Sequence, residues 1–281
     1  MKIKVIHETS YQYNAEVFLE PHYFRFKPKN TPHIEVESYA IHYSPKPMGH
    51  RELLDPENNI IDFCWFEGMH KELVIRSEFI VFIREHNPLN FILHPQTYFK
   101  APFLYGGPLM ELLHPSLKKD PIGKSLVDFG INTLKEVDGN SLEFLITLTR
   151  KIFEEFVLEI REEGPPLPGD ETFQFKRGSC RDLAWMQIQL LRHFGMAARF
   201  VSGYFFIPEI KPTFELHGWL EVFLPGGGWI GLDPSHGMVS GLYHVPLASS
   251  SNPINTMTVT GSVRGGASSE LKTNLIMEEV P

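Results

Sequence analysis

Cysteine is scarce in this chain, which has two in 281 residues, Cys64 and Cys180. A disulfide framework needs more cysteines than that, so we expect both thiols to stay reduced. Cys64 lies in the alternating apolar segment 61–66, which is typical of a strand, and we interpret it as a small buried hydrophobic residue. Cys180 is therefore the thiol whose chemistry needs an explanation.

Long apolar runs and an excess of positive charge are also missing. No run of about 18 apolar residues occurs, so the sequence predicts no membrane-spanning helix and no membrane partner. The 34 Asp and Glu residues outnumber the 26 Lys and Arg residues, and the formal net charge is −8. Such a surface does not attract a phosphate backbone, so we expect no nucleic-acid partner. The first residues lack an apolar signal region, which favours a cytoplasmic protein.

Metal and nucleotide motifs are absent as well. The 13 histidines are scattered, and the sequence has no Cys-x-x-Cys pair, no His-Glu-x-x-His motif and no calcium loop. The glycines at 226–228 follow a strand pattern without a helix after them, so they do not form a phosphate-binding loop. We therefore expect neither a metal nor an organic cofactor.

The first 100 residues have the pattern of β structure. Apolar and aromatic residues alternate with mostly polar ones, for example at 5–13, and clusters of turn-forming residues separate such segments, for example at 28–32 and 55–59. Short strands spaced by turns predict an N-terminal antiparallel β-sandwich domain over residues 1–100. The proline- and glycine-containing stretch 87–108 is interpreted as a linker.

The hydrophobic period changes to that of helices further along the chain. Helices are predicted after Asp120, from Ser141 and from Cys180. Strands follow, two of which are joined by the glycine-rich turn 225–228. Helices followed by strands predict an α+β fold, in which a helix bundle packs on an antiparallel sheet, and we assign residues 101–281 to this second domain.

Cys180 opens the third predicted helix. Ser179 is a favoured N-cap residue, and Asp182 three positions later completes an acidic version of the capping box. The N-terminus of a helix carries partial positive charge and unpaired N–H groups, which favour a thiolate and can also bind an oxyanion. Gly178 leaves room for a substrate carbonyl group. The position therefore predicts a reactive cysteine.

A histidine and an aspartate lie on the two strands of the predicted hairpin. If the turn folds near Pro225 or Gly226, His217 and Asp233 lie nearly opposite each other on one face of the sheet. The carboxylate then holds one imidazole nitrogen while the other points toward Cys180. A thiol, an imidazole and a carboxylate are the minimal set for acyl transfer through a thioester, so we predict a catalytic triad of Cys180, His217 and Asp233.

Three further residues are candidates for the oxyanion site or the rim of the substrate site. Gln174 lies six residues before the cysteine and could donate to an oxyanion, although a surface glutamine is an equally good interpretation. Gly178 lies two residues before the cysteine. Trp219 shares the predicted face of His217, where it either covers the site or packs in the core, and core packing is the better interpretation.

These residues resemble the motifs of the transglutaminase-like superfamily. The matching segments are 6–13, 178–184, 191–204, 217–225 and 228–237. The chain is most similar to a bacterial branch described as cysteine proteases, in which an N-terminal β-rich region precedes a papain-like catalytic core. The resemblance implies that Cys180 is the nucleophile, His217 the base and Asp233 its orienting partner. The chain departs from the family's pattern at Gly218, where alanine is usual.

The triad and the resemblance together predict an enzyme. We expect a thiolate to attack an amide carbonyl of a peptide or protein and water to hydrolyse the thioester, as in a cysteine peptidase or amidase. Attack by an amine in place of water would make the protein a transglutaminase, but no feature of the sequence marks a dry tunnel for a lysine acceptor. A third interpretation is a binding module that retains the triad without using it.

Overall fold

The computed structural model describes residues 1–161, 164–208 and 213–281, apart from the side chains of residues 213 and 214. In these ranges, no helix has the length and apolar character needed to cross a membrane. The helices are α1 (Gly107–Leu117), α2 (Lys124–Glu136), α3 (Ser141–Glu155), α4 (Gly169–Phe175) and α5 (Cys180–His193). The first strands are β1 (Lys2–Leu19), β2 (His22–Phe24), β3 (Ile34–Ser44), β4 (Gly49–Leu54), β5 (Ile60–Trp65) and β6 (Met69–Ile83). The later strands are β7 (Val157–Leu158), β8 (Arg177–Gly178), β9 (Ala198–Ile207), β10 (Thr213–Leu224), β11 (Gly228–Asp233), β12 (Met238–Val239), β13 (His244–Ser250), β14 (Val259–Thr260), β15 (Val263–Arg264) and β16 (Ser269–Glu279).

Two antiparallel sheets form the predicted β-sandwich. One has the order β15-β1-β6-β3, with β16 also paired to β1, and the other has the order β14-β2-β5-β4. Along β1 every second residue from Ile3 to Thr9 is buried, as the alternation of the sequence predicts. Cys64 on β5 is fully buried in the cluster that joins the two sheets, where it packs with Phe24 and Leu73. Its interpretation as a core residue is confirmed.

The last strands of the chain return to the N-terminal sandwich. β16 pairs with β1 from Ile3–Glu279 to Tyr13–Ser269, and β14 pairs with β2. The last part of the range 101–281 therefore contributes three strands to the N-terminal sheets. The physical reason is that β1 is long and would otherwise expose one unpaired edge, which β15 and β16 cover.

The second half of the chain surrounds α5. Its sheet has the order β12-β11-β10-β9-β13 and is antiparallel throughout. Every residue of α5 from Asp182 to Arg192 is buried except Trp185, which is half-buried. These residues pack with α3 and with the sheet in one hydrophobic cluster, so the predicted packing of helices on an antiparallel sheet is confirmed.

Two helices were not predicted, and one begins later than predicted. α1 begins at the end of the predicted linker and lies mostly beyond it, and α4 follows a proline-rich segment. α2 begins at Lys124 rather than directly after Asp120. The N–H group of Gly123, at its N-cap, donates to both carboxylate oxygens of Asp170 at 2.8 Å. This cap comes from α4, so nothing local in the sequence could indicate it.

A third hydrophobic cluster joins the two halves of the molecule. Ile3 and Val81 of the sandwich pack there with Tyr204 and Val245 of the second sheet. Within it the hydroxyl group of Tyr204 lies 2.8 Å from Nδ1 of the buried His7. Burial lowers the pKa of His7 to about 4, so this imidazole is neutral in the folded protein at neutral pH.

Candidate active site

Cys180 is the first residue of α5, as predicted, and its side chain is partly exposed. Ser179 occupies the N-cap position, and Asp182 Oδ2 accepts hydrogen bonds from both the backbone N–H and the hydroxyl group of Ser179, at 2.8 and 2.7 Å. Asp182 thus holds the backbone just before the cysteine. The helix N-terminus places partial positive charge and backbone N–H groups beside the thiol.

Asp182 also anchors the chain segment that precedes α4. It accepts a hydrogen bond from the backbone N–H of Leu167 at 2.7 Å and pairs with the guanidinium group of Arg161. Burial by itself raises the pKa of Asp182, but the hydrogen bonds from Leu167, Ser179 and Arg161 outweigh it and lower the pKa. Arg181, next to the cysteine, donates to the carbonyl oxygen of Gly164 at 2.9 Å. The segment around Arg161 is therefore tied to the start of α5.

His217 and Asp233 meet across the hairpin of β10 and β11. The Nε2 atom of His217 lies 2.9 Å from Oδ2 of Asp233, and both side chains are fully buried. In the antiparallel pairing of β10 with β11, Leu220 lies opposite Leu232. The next residues along the two strands are Trp219 and Asp233, so Asp233 lies opposite Trp219 rather than opposite His217. The prediction of one shared face holds, because a shift of two residues keeps the face of a strand, but the two side chains meet diagonally.

The other nitrogen of His217 faces the thiol and an acidic residue. Glu215 Oε1 lies 2.9 Å from Nδ1, but neither Glu215 nor Cys180 makes a well-aligned hydrogen bond to this atom within the described residues. Burial lowers the pKa of His217, but the charge and hydrogen bond of Asp233, and then contacts with Cys180 and Glu215, raise it well above its usual value. The ring is thus held by its Nε2 side and presents Nδ1 to the thiol.

One carboxylate oxygen receives three imidazole rings. Besides His217, Nδ1 of His236 lies 2.9 Å and Nε2 of His244 lies 3.0 Å from Oδ2 of Asp233. Oδ1 accepts the backbone N–H of Ser235 at 2.9 Å. Burial by itself raises the pKa of Asp233, but the charge of His217 and the hydrogen bonds from all three rings outweigh it and hold the pKa well below its usual range. Asp233 is therefore ionised and accepts from each ring.

The surroundings of His244 determine its tautomer. Its Nε2 atom must carry the proton that Asp233 accepts, and its Nδ1 atom accepts the backbone N–H of Gly241 at 3.4 Å. Burial lowers the pKa of His244, and the charges of His217 and His236 lower it further against the raising effect of Asp233. His244 is therefore neutral and has both nitrogens engaged, so it supports Asp233 and has no nitrogen free for a substrate.

The residues predicted for the oxyanion site or the rim have different surroundings. Trp219 is buried and stacks near His217, with ring centroids 6.1 Å apart, so it packs inside the molecule and does not form an exposed rim. Gly178 is also buried, and a Cβ atom there would lie 2.7 Å from Cβ of Asp182. Gly178 thus allows the backbone to pack closely against Asp182. Gln174 is exposed on α4.

Sequence reasoning missed Glu215, His244 and Arg161 as residues of this site and offered His236 only as a possible rim residue without a specific signal. Glu215 carried one available signal, since residues two apart on a strand share a face and it lies two residues before His217. His236 and His244 lie in a turn and at the start of β13, and their convergence on Asp233 depends on how β11, β12 and β13 are arranged. Arg161 reaches Asp182 across 21 residues.

The fold defines a class of proteins that join an N-terminal β-sandwich to an α+β core. Residues 3–82 match the bacterial transglutaminase-like N-terminal region, and residues 133–234 match the transglutaminase-like superfamily. Together the two matches cover more than half of the chain. The chain belongs to the transglutaminase-like superfamily, which confirms the resemblance inferred from the sequence.

Several known proteins are similar over most of the chain. The uncharacterized protein Rv2569c of Mycobacterium tuberculosis is 24% identical over 248 residues, which are 84% of this chain and 79% of the relative. The uncharacterized protein Mb2599c of Mycobacterium bovis matches to the same extent. A solved structure described as a "putative cysteine protease" from Cytophaga hutchinsonii matches with a TM-score of 0.70 and 18% identity, covering 100% of this chain and 92% of that chain. This likeness confirms the predicted fold class.

Proposed function

We propose that this protein is a thiol-dependent acyl-transfer enzyme that hydrolyses amide bonds in peptides or proteins. One arrangement carries the proposal: the imidazole of His217, held at Nε2 by the buried Asp233, presents Nδ1 toward the thiol at the N-terminus of α5. A base whose orientation is set by a carboxylate and whose free nitrogen faces a nucleophile has the logic of a catalytic triad.

In the proposed first half-reaction, the thiolate of Cys180 attacks the carbonyl carbon of an amide. The carbonyl oxygen gains negative charge, which the free backbone N–H groups at the start of α5 can stabilise. The protonated Nδ1 of His217 donates its proton to the leaving nitrogen, the carbon–nitrogen bond breaks, and an amine leaves. The chain then carries the acyl group as a thioester on Cys180.

In the second half-reaction, water attacks the thioester. Neutral His217 takes a proton from this water at Nδ1, the carbon–sulfur bond breaks, and a carboxylic acid leaves while the proton returns to the ring. Asp233 stays ionised throughout and stabilises the imidazolium, because its low pKa and four hydrogen bonds disfavour its protonation. A hydrolase of this kind fits the description given to the Cytophaga hutchinsonii structure.

A labelling experiment tests the proposal directly. We would treat the full chain, in the presence of a chelator, with an aldehyde or acyloxymethyl ketone built on short peptides and locate the adduct by mass spectrometry. The expected result is one adduct on Cys180, which is lost in Cys180→Ser and slowed at least about a hundredfold in His217→Gln. Cys64 is an internal control, because burial raises its pKa to about 11 and leaves it unreactive.

The same experiment includes an outcome that refutes the proposal. If Cys180 reacts no faster than a free thiol, and His217→Gln reacts at the same rate as the native chain, the triad is inactive and the protein is a binding module. The matched control for histidine replacement is His193→Gln, because His193 is exposed at the C-terminal end of α5.

Transfer to an amine is the second candidate function. The carboxylate of Glu215 is 41% exposed beside His217, and its negative charge can attract a cationic amine to the thioester. A glutaminyl peptide incubated with excess lysine methyl ester separates the two reactions. Release of free acid supports hydrolysis, whereas incorporation of the amine that falls in Glu215→Gln supports the transferase.

A further inference from the structure

The polar cluster around Asp233 contains three potential metal-ligand atoms that lie close together. The Nδ1 atom of His217, the Nε2 atom of His236 and Oε1 of Glu215 all lie within 4.8 Å of one another. Glu215 Oε1 lies 2.9 Å from the first nitrogen and 3.9 Å from the second. Ligand atoms at about 2.1 Å from a tetrahedral zinc ion lie roughly 3.3 Å apart, so small shifts of these side chains would suffice.

The carboxylate of Asp233 sets both histidines in the form that a metal needs. It accepts from Nε2 of His217 and from Nδ1 of His236, which makes each of these nitrogens a donor and leaves the opposite nitrogen of each ring to bind a metal ion once that nitrogen carries no proton. A carboxylate behind a ligating histidine is the usual arrangement of outer partners at zinc sites. One buried acid therefore orients two potential ligands at once.

Burial makes the open position on His217 unusual. Its side chain is fully buried, yet Nδ1 has no well-aligned hydrogen bond within the described residues. A buried polar atom normally has a hydrogen-bond partner. Nδ1 of His217 is therefore placed to interact with a substrate or to bind an ion. Phe205 stacks on the ring of His236, with centroids 3.9 Å apart, and this contact holds the second histidine in place.

A neighbouring set of donors does not form such a site. His217, Asp233 and His244 are also close together, but their facing atoms are already joined by hydrogen bonds of 2.9 and 3.0 Å. The remaining nitrogen of His244 accepts from the backbone of Gly241. An ion there would have to displace the protons that two imidazole nitrogens donate to the buried Asp233, whereas the carboxylate of Glu215 is partly exposed to solvent.

We propose that Glu215, His217 and His236 form a binding site for Zn²⁺ or a similar borderline divalent cation. Two imidazoles and a carboxylate are ligands that zinc accepts, and three protein ligands leave a fourth position of a tetrahedral ion open. The bound ion occupies the nitrogen of His217 that would otherwise serve the thiol. While the ion is bound, His217 cannot act as the base for Cys180. Zinc is therefore a reversible inhibitor of the proposed reaction.

Calorimetric titration of the chelator-treated full chain with Zn²⁺ alone tests the site without any assay of activity. We expect one ion per chain, no comparable binding of Mg²⁺, and at least about tenfold weaker binding of Zn²⁺ in Glu215→Gln and in His236→Gln. Glu215→Gln preserves the shape of a partly exposed side chain, so it should fold normally. His33→Gln is the matched control, because it removes an exposed histidine that stacks on His86 and lies outside the cluster.

A second measurement tests the predicted exclusion. Zn²⁺ should slow the alkylation of Cys180 by iodoacetamide at least about tenfold in the native chain, and Glu215→Gln should weaken this protection. Zinc binding that is unchanged in both cluster variants, or that is lost in His33→Gln, overturns the proposal, as does the absence of stoichiometric binding. The proposal that zinc inhibits the reaction rests on the proposed function. That function is tested separately, by labelling in the presence of a chelator, so the zinc site and the proposed function can fail independently.

Discussion

The carboxylate of Asp233 contacts the imidazole of His217 diagonally across the β10–β11 hairpin, with Oδ2 of Asp233 2.9 Å from Nε2 of His217. The residue that the ladder sets opposite Asp233 is Trp219, whose indole ring stacks at 21° to the imidazole of His217. The carboxylate therefore holds the edge of the ring while the tryptophan limits its tilt. The orientation of Nδ1 toward Cys180 is a property of the hairpin and of this stacking together.

Replacement of Asp233 by Asn should abolish most of the activity. An amide has a donor group where three imidazoles now donate, so the orientation of His217 is lost, and we expect the rate of Cys180 labelling to fall about 10²–10⁴-fold. His244→Gln is the comparison, because it can still donate one hydrogen bond to the same oxygen, and its loss should stay within about tenfold. Equal labelling of Asp233→Asn and the native chain would contradict the role of this carboxylate.

Replacement of Asp182 by Ala should destabilise the protein and disorder the approach to the thiol. The buried carboxylate accepts from Ser179, Leu167 and Arg161, and removal of one partner of a buried ion pair costs about 3–5 kcal/mol. Denaturant unfolding measures this change. Glu159→Gln provides a control, because Glu159 and Arg177 form an exposed pair worth no more than about 1 kcal/mol. A loss no larger than that of the control would show that Asp182 is not an anchor.

His7 should make stability depend on pH. Its pKa is about 4 in the folded chain and about 6.5 when unfolded, so between these values the unfolded chain binds a proton that the native chain does not. The free energy of unfolding is therefore highest, as far as His7 is concerned, above pH 6.5 and decreases as the pH falls toward 4. At pH 4.5 we expect this decrease to be about 2–3 kcal/mol.

The measurement is the free energy of unfolding at pH 7 and pH 4.5 for the native chain and for His7→Gln. Glutamine can still bond to Tyr204 but does not titrate, so the difference between the two pH values should shrink by this amount. An identical pH dependence in both proteins would refute the assignment, because every other titrating group is common to them.

Two glycines beside His217 should tolerate alanine to different degrees. A Cβ atom at Gly203, which pairs with His217, would lie 2.1 Å from the backbone oxygen of Val245. Two strands cannot separate locally without losing hydrogen bonds, so Gly203→Ala should destabilise the chain by about 1–3 kcal/mol or more. At Gly218 the nearest atom is the tip of the Phe200 ring at 2.7 Å, which can move.

Gly218→Ala, which introduces the residue usual in the family, should therefore cost less than Gly203→Ala. Thermal unfolding of the two variants measures the difference. A larger loss for Gly218→Ala would mean that Phe200 is fixed as rigidly as the backbone. Retained labelling of Cys180 in Gly218→Ala would also show that this departure from the family's pattern concerns packing rather than chemistry.

Local features were predictable because their physical causes lie within a few residues. The cap formed by Ser179 and Asp182 involves residues only three positions apart in the chain, so the placement of Cys180 at a helix start followed from the sequence. The hairpin turn limited the pairing of β10 with β11 to a few registers, which sufficed to set His217 and Asp233 on one face. The precise register was decided by packing along the strands.

The amino-acid sequence by itself indicated the family, the β-rich first part of the chain, the helices α2, α3 and α5, and the three side chains of the predicted triad, since each of these depends on short segments of the chain. Only the tertiary structure decided that β16 completes the N-terminal sandwich and that His236 and His244 converge on Asp233. It also decided that Glu215 faces the open nitrogen of His217. These contacts join distant segments, and their geometry depends on how all the sheets pack, which no local pattern records.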